Sequence, residues 1–274
     1  MSAEQEGRRA AQNFRLEHHL GSQPLADLIT IIEQEMGHDV AVLDAPADEH
    51  GMSIRDPQRG VVFIAVARSR RPMRQRSSLA HELAHVVFGD WADQPITGRS
   101  ATEVRADAFA RHLLVPREGL RDILGTVGNR QVDTSTLSDV VQRFLVSPAL
   151  AAIALHDGGY IATSTKTQWL GLTTPALASR FGWADLYAVL QDDADKPRAP
   201  QQLLRRAIAG YMEGVVSLET VASLRGRPLD QVRQELEAAG VEPAADLVEW
   251  SDAGALPDVE VDLSSLDDDA APGS

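Results

Sequence analysis

RSSLAHELAHVVFGD, residues 76–90, is the stretch from which the rest of the chain can be read. Leu79, Leu83, Val86 and Val87 recur at helical spacing and Gly89-Asp90 supplies a stop, so a helix is expected over 73–88. On an α-helix, residues four apart differ by about 40° in direction and about 6 Å in rise. His81 and His85 therefore share a face and can hold one ion, with Glu82 beside them. In an H-E-x-x-H pattern that Glu is not a ligand; it is the general base that acts on a water at the metal. The duller alternative is an amphipathic helix whose apolar residues build a core and whose histidines face solvent.

Two imidazoles leave zinc short of ligands, since a catalytic site takes about three protein groups plus water. With no cysteine in the chain, every ligand must be His, Asp or Glu. The nearest suitable residue is Glu103, which opens EVRADAFA on a second expected helix, 101–114, stopped before Pro116. Asp107 falls one turn later on the same face, placed to accept a hydrogen bond from the free N–H of a ligating imidazole.

Upstream, residues 1–20 read as a polar N-terminal helix, and Pro24–Met36 carries apolar residues at helical spacing up to Gly37. Asp39–Leu43 and Gly60–Ala67 read as strands, with 48–56 a loop around Gly51. Downstream, 117–158 should form two or three short helices, one of them over 137–145. DDADKPRAP at 192–200 has the composition of a linker and is the preferred boundary, followed by small helices over 201–212 and 218–240.

Three blocks in this order, RSSLAHELAHVVFGD at 76–90, EVRADAFARHLLVP at 103–116 and VVQRFLVSPALAAIAL at 140–155, resemble the ImmA/IrrE-type zinc metallopeptidases of bacteria and their mobile elements. The resemblance covers roughly residues 20–165. It implies Zn2+ as cofactor, His81, His85 and Glu103 as its ligands, and Glu82 as general base. Ser77 and Ala84 depart from the family's frequent Phe and Gly without removing a ligand. The resemblance also implies limited, regulatory proteolysis, with a DNA-binding helix-turn-helix repressor as protein substrate; no such module precedes the zinc helix, so the target would be a separate protein. Tyr160 and His112 are the nearby residues that an oxyanion role would draw on, although structural roles suit both better.

The expected architecture is α+β: a mainly helical metallopeptidase domain with a small sheet at 21–165, preceded by the 1–20 extension and followed by a helical C-terminal domain at 166–240 and an acidic, disordered tail at 241–274. That tail holds ten acidic residues and no basic one. It accounts for most of the net charge of −14 and leaves about −4 for the rest. An acidic chain is a poor general ligand for nucleic acid. Arg68, Arg70, Arg71, Arg74 and Arg76 form a local basic cluster that fits an acidic segment, a nucleic acid or, more simply, a solvated helix start. Residues 217–240 have the look of a small helix-turn-helix, but Asp230 and Glu235 interrupt its basic and amide groups. His18, His19, His38, His50 and His156 lack partners at ligand spacing. No apolar run reaches about 18 residues and no signal peptide is evident, so a cytoplasmic protein without a membrane span is expected. Two rival functions are a non-catalytic metal-binding sensor and a DNA-binding regulator acting through 201–240.

Overall fold

The structure, a computed structural model, describes residues 1–46, 51–91, 100–128 and 131–244. Residues 92–99 between the two helices expected over 73–88 and 101–114, His50, and the acidic tail from residue 245 onward lie outside the described residues.

Helix α1 (Ala3–Glu17) starts from a capping box in which Ser2 and Gln5 satisfy each other's backbone N–H groups. Far from being an appendage, it packs along α4 (Ala101–Leu114), burying Ala11 and Phe14. Gly7 is required there: a Cβ at this position would lie 2.2 Å from the Arg105 carbonyl oxygen and 2.7 Å from Ala108 Cβ. The Phe14 ring meets Phe109 edge-on at 5.8 Å. Buried Arg15 ties the helix end down, donating to Leu113 O at 2.8 Å and Gly21 O at 2.7 Å.

The helix expected from Pro24 begins later. Asp27 caps it by accepting from the Thr30 N–H at 3.0 Å, and α2 (Leu28–Thr30) runs on as a π-helical turn, Ile31–Glu35. Next come β1 (Asp39–Leu43), β2 (Met52–Arg55) and β3 (Val62–Ala67), in the sheet order β1-β3-β2. β1 runs parallel to β3, with Val40 opposite Ile64, and β2 runs antiparallel to it, with Ser53 opposite Ile64. β2 occupies residues read from sequence as loop. Its four residues contain no β-branched run, and its apolar residues Met52 and Ile54 face out instead of into the core, so nothing in so short a stretch marks it as a half-buried strand.

α3 (Pro72–Phe88) lies between β3 and α4, and its inner face buries Leu79, Ala80, Leu83 and Ala84. α5 (Arg117–Leu124), α6 (Thr134–Phe144) and α7 (Pro148–Asp157) complete this layer; Phe109, Leu113, Phe144 and Leu155 are fully buried beside Leu83 and Ile64. Each such side chain contributes about 1.5–3 kcal/mol on leaving water. The same core takes in Trp169, Leu177, Trp183 and Tyr187 from α8 (Thr163–Trp169), α9 (Thr174–Arg180) and α10 (Ala184–Ala194), with Trp183 Nε1 donating to Ser138 Oγ at 2.9 Å.

The segment with linker composition is partly structured. α10 runs into it, and Arg198 pairs with Val42 through two 2.9 Å backbone hydrogen bonds on the outer edge of β1. Buried Glu33 anchors the junction, accepting from Arg198 at 2.7 Å and from the Gln201 N–H at 3.0 Å. α11 (Gln201–Met212), α12 (Leu218–Arg225) and α13 (Leu229–Ala238) enclose a second, smaller cluster around Val221 and Val232. The chain is thus mainly helical α+β with a small mixed sheet. Among the described residues, no single helix is long and apolar enough to cross a membrane.

Candidate metal centre

The end of α3 is built by its own stop signal. Gly89 adopts φ 69°, and the Gly89 and Asp90 N–H groups donate back to Val86 O at 3.1 Å and His85 O at 2.8 Å. This turn folds Asp90 back beneath the last turn of the helix, and Asp90 Oδ2 lies 3.2 Å from His85 Nδ1. α4 starts where Ser100 accepts from the Glu103 N–H at 3.2 Å, a cap that places Glu103 in the first turn, opposite α3.

Packing of α4 on α3 brings the three acceptors together. His81 Nε2 and His85 Nε2 are 3.1 Å apart, and Glu103 Oε2 and Oε1 lie 3.2 Å and 3.6 Å from them respectively. One ligand atom from each residue falls within 4.8 Å of the others. Tetrahedral zinc with bonds of about 2.0–2.1 Å requires ligand atoms about 3.3–3.5 Å apart. The observed spacings bracket that range, so the residues present fit a zinc ion. The ring nitrogens facing away are both met by carboxylates: His81 Nδ1 lies 3.0 Å from Asp107 Oδ1, matching His85 with Asp90. Such partners hold the tautomer that leaves Nε2 free to bind. The spacing of Glu103 and Asp107 made the first pairing legible. Asp90 escaped the sequence reading, although its signal was present in the Gly-Asp stop that follows His85 by a fixed turn.

Glu82 points to the other side, towards the sheet. Ser53 Oγ on β2 donates to its Oε2 at 3.2 Å, and Gly51 leaves room for it, since a Cβ there would lie 2.8 Å from Glu82 Cγ. Burial is the main influence raising the Glu82 pKa, and Glu103 adds to it; His85, His81 and Ser53 pull it back. For His81, burial opposes protonation, but the hydrogen bond and charge of Asp107, helped by Glu103 and Glu82, outweigh it and raise the pKa. His81 and Asp107 also line a cavity of about 360 Å³ that continues past Val104, Arg111 and Leu150. A larger cavity of about 540 Å³, among Asp27, Leu79 and Arg198, is lined by none of the residues of this cluster.

The other residues singled out in the sequence are engaged elsewhere. Tyr160 donates to Gly125 O at 2.8 Å, and buried His112 sits 3.3 Å from Glu4. Glu4, His112 and Asp157 also group closely, but Arg111 pairs with both carboxylates and already supplies the positive charge there. Within the arginine cluster, Arg68 pairs with Asp44 at 2.8 Å and Arg70 with Asp192 at 3.0 Å. Arg76 donates to the carbonyls of Leu25 and Ala26, and burial lowers its pKa to about 10. In the 217–240 helices, Arg225, Arg227 and Gln231 all converge on Glu235. These cations serve the protein's own carboxylates and carbonyls.

Residues 34–156 match the model of the Peptidase_M78 family, described as the IrrE N-terminal-like domain. No curated protein matches the chain. The matched segment contains His81, Glu82, His85, Asp90, Glu103 and Asp107, and the family suggests a metallopeptidase with a bound metal.

Proposed function

Since residues 34–156 belong to the ImmA/IrrE peptidase family, we propose that this chain is a zinc-dependent endopeptidase that carries out limited, regulatory cleavage of a protein substrate in the cytoplasm. The observation that carries the reading is the convergence of His81, His85 and Glu103 on one point beside the buried carboxylate of Glu82. His81, His85 and Glu103 would hold the ion, which supplies Lewis acidity: it lowers the pKa of water and polarises a carbonyl. Glu82 takes the proton of the attacking water and delivers it to the amine nitrogen as the C–N bond breaks. Burial raises its pKa, which makes the carboxylate a stronger base for the first half of that exchange. Asp107 and Asp90 hold the two imidazoles in the ligating orientation.

A peptide substrate is supported by β2. It is an edge strand of the sheet, has no strand partner on its outer side among the described residues, and carries the Ser53 that touches Glu82. An extended chain added to such an edge gains backbone hydrogen bonds and passes close to the base. The choice of a DNA-binding repressor as the target rests on the family resemblance. Co-expressing wild type and Glu82→Gln with the host proteome tests the enzyme reading by mass spectrometry of new termini. Cleavage products seen only with wild type support it; identical patterns would leave a metal-binding regulator in its place.

A further inference from the structure

We propose that helix α1 is an outer anchor of the metal ligand His85, acting through the continuous chain Glu6–Arg105–Asp90–His85. The proposal rests on reading His81, His85 and Glu103 as metal ligands. An imidazole that binds through Nε2 is held by the acceptor opposite its Nδ1, and that acceptor is only as fixed as its own partners. The two histidines differ here. The acceptor for His81 is Asp107, carried within α4 itself. The acceptor for His85 is Asp90, which lies beyond the end of α3, and one side-chain partner fixes its other oxygen: Arg105 Nη2 bonds Asp90 Oδ1.

Arg105 in turn is held from two sides. Its Nη1 lies 3.1 Å from Glu6 Oε1 on α1, and its guanidinium rests 4.5 Å from the centre of the Phe88 ring. Asp90 is among the least exposed carboxylates on the chain, at 11% side-chain exposure, and Arg105 is 24% exposed, so these are partly desolvated pairs and less screened than surface ones. The backbone is engaged too, because Gly7 of α1 sits directly against the Arg105 carbonyl, two residues from Glu103. α1 precedes the segment that matches the peptidase family, 34–156. The metal centre of this chain thus extends beyond the matched segment, and Arg105 and Glu6 act as positioning residues that never touch the ion.

The test is cobalt(II) binding to the full chain, read by visible absorption and by competition with a chelator, which reports ligand geometry and affinity independently of turnover. Asp90→Asn and Arg105→Gln should each weaken binding about 10–100-fold and alter the absorption bands. Glu6→Gln should do the same to a lesser extent. Arg105→Lys should restore only part of the affinity, since a lysine cannot bridge two carboxylates as a planar guanidinium does. Glu4→Gln is the control: Glu4 also ties α1 to α4, through Arg111, but stands outside the chain to His85, so its loss should leave spectrum and affinity unchanged. Equal effects of Glu4→Gln and Glu6→Gln, or wild-type binding by Asp90→Asn and Glu6→Gln, would overturn the anchor. A wild-type protein that takes up no cobalt would overturn the metal reading beneath it.

Discussion

The Ser53 hydroxyl donates to the Glu82 carboxylate at 3.2 Å, joining edge strand β2 to the helix that carries His81 and His85. Gly51, two residues earlier, closes over the same side chain. If this contact sets the direction of the base, Ser53→Ala should lower kcat about tenfold, the order of one hydrogen bond to a charged group, with zinc content unchanged. Gly51→Ala should cost more, because its Cβ would enter the space of Glu82 Cγ. Steady-state kinetics with metal analysis on the same samples checks both; unaltered kcat in the pair would remove β2 from the site.

Removing the base and removing the ligands should separate cleanly. Glu82→Gln is expected to bind zinc fully and lose about 10²–10⁴-fold in turnover. His81→Ala and Glu103→Ala are expected to lose zinc as well as turnover. Undiminished zinc in Glu103→Ala would refute its assignment as the third ligand.

Gly7 lies where α1 and α4 approach closest, and a Cβ there meets backbone that cannot move aside. Gly7→Val should destabilise the fold by about 1–3 kcal/mol, the usual cost of overpacking. Thermal unfolding would register this as a drop in Tm of about 2–4 °C per kcal/mol. A Tm equal to wild type would show that α1 is not docked as described.

His112 predicts a pH effect at neutral to mildly acid pH. Burial first, then the positive charges of Arg111 and Arg117, push its pKa below 6.5, against the opposing pull of Glu4. A group with a depressed folded pKa contributes stability above its unfolded value and loses it as pH falls towards the folded one. Metal-free wild type should therefore lose Tm from about pH 7 to about pH 5 more steeply than His112→Gln. Parallel slopes would contradict this.

Much of the fold could be read locally. Helices α3 and α4 follow from apolar spacing, from the Gly89-Asp90 stop and from the proline at 116, all of which act within a turn or two of the chain. β2 was hidden because its inward residue is Ser53, which serves Glu82 instead of the core, while its apolar residues face out. The late start of α2 came from Asp27, whose side chain satisfies an N–H that would otherwise need another turn of helix. The pairing of Arg198 with Val42 joins residues far apart in sequence, and no local pattern announces it.

For the site, the sequence alone determined that His81, Glu82 and His85 share one helix end, because 3.6 residues per turn leave no other arrangement once the helix forms. Its carboxylate spacing likewise paired Glu103 with Asp107. Tertiary structure decided the rest. Packing α4 across α3 set the 3.2 Å approach of Glu103, the return of the chain at Gly89 brought Asp90 to His85, and docking α1 at Gly7 placed Glu6 on Arg105. Those contacts depend on how buried faces fit one another, and shape complementarity between distant segments leaves no periodicity to read.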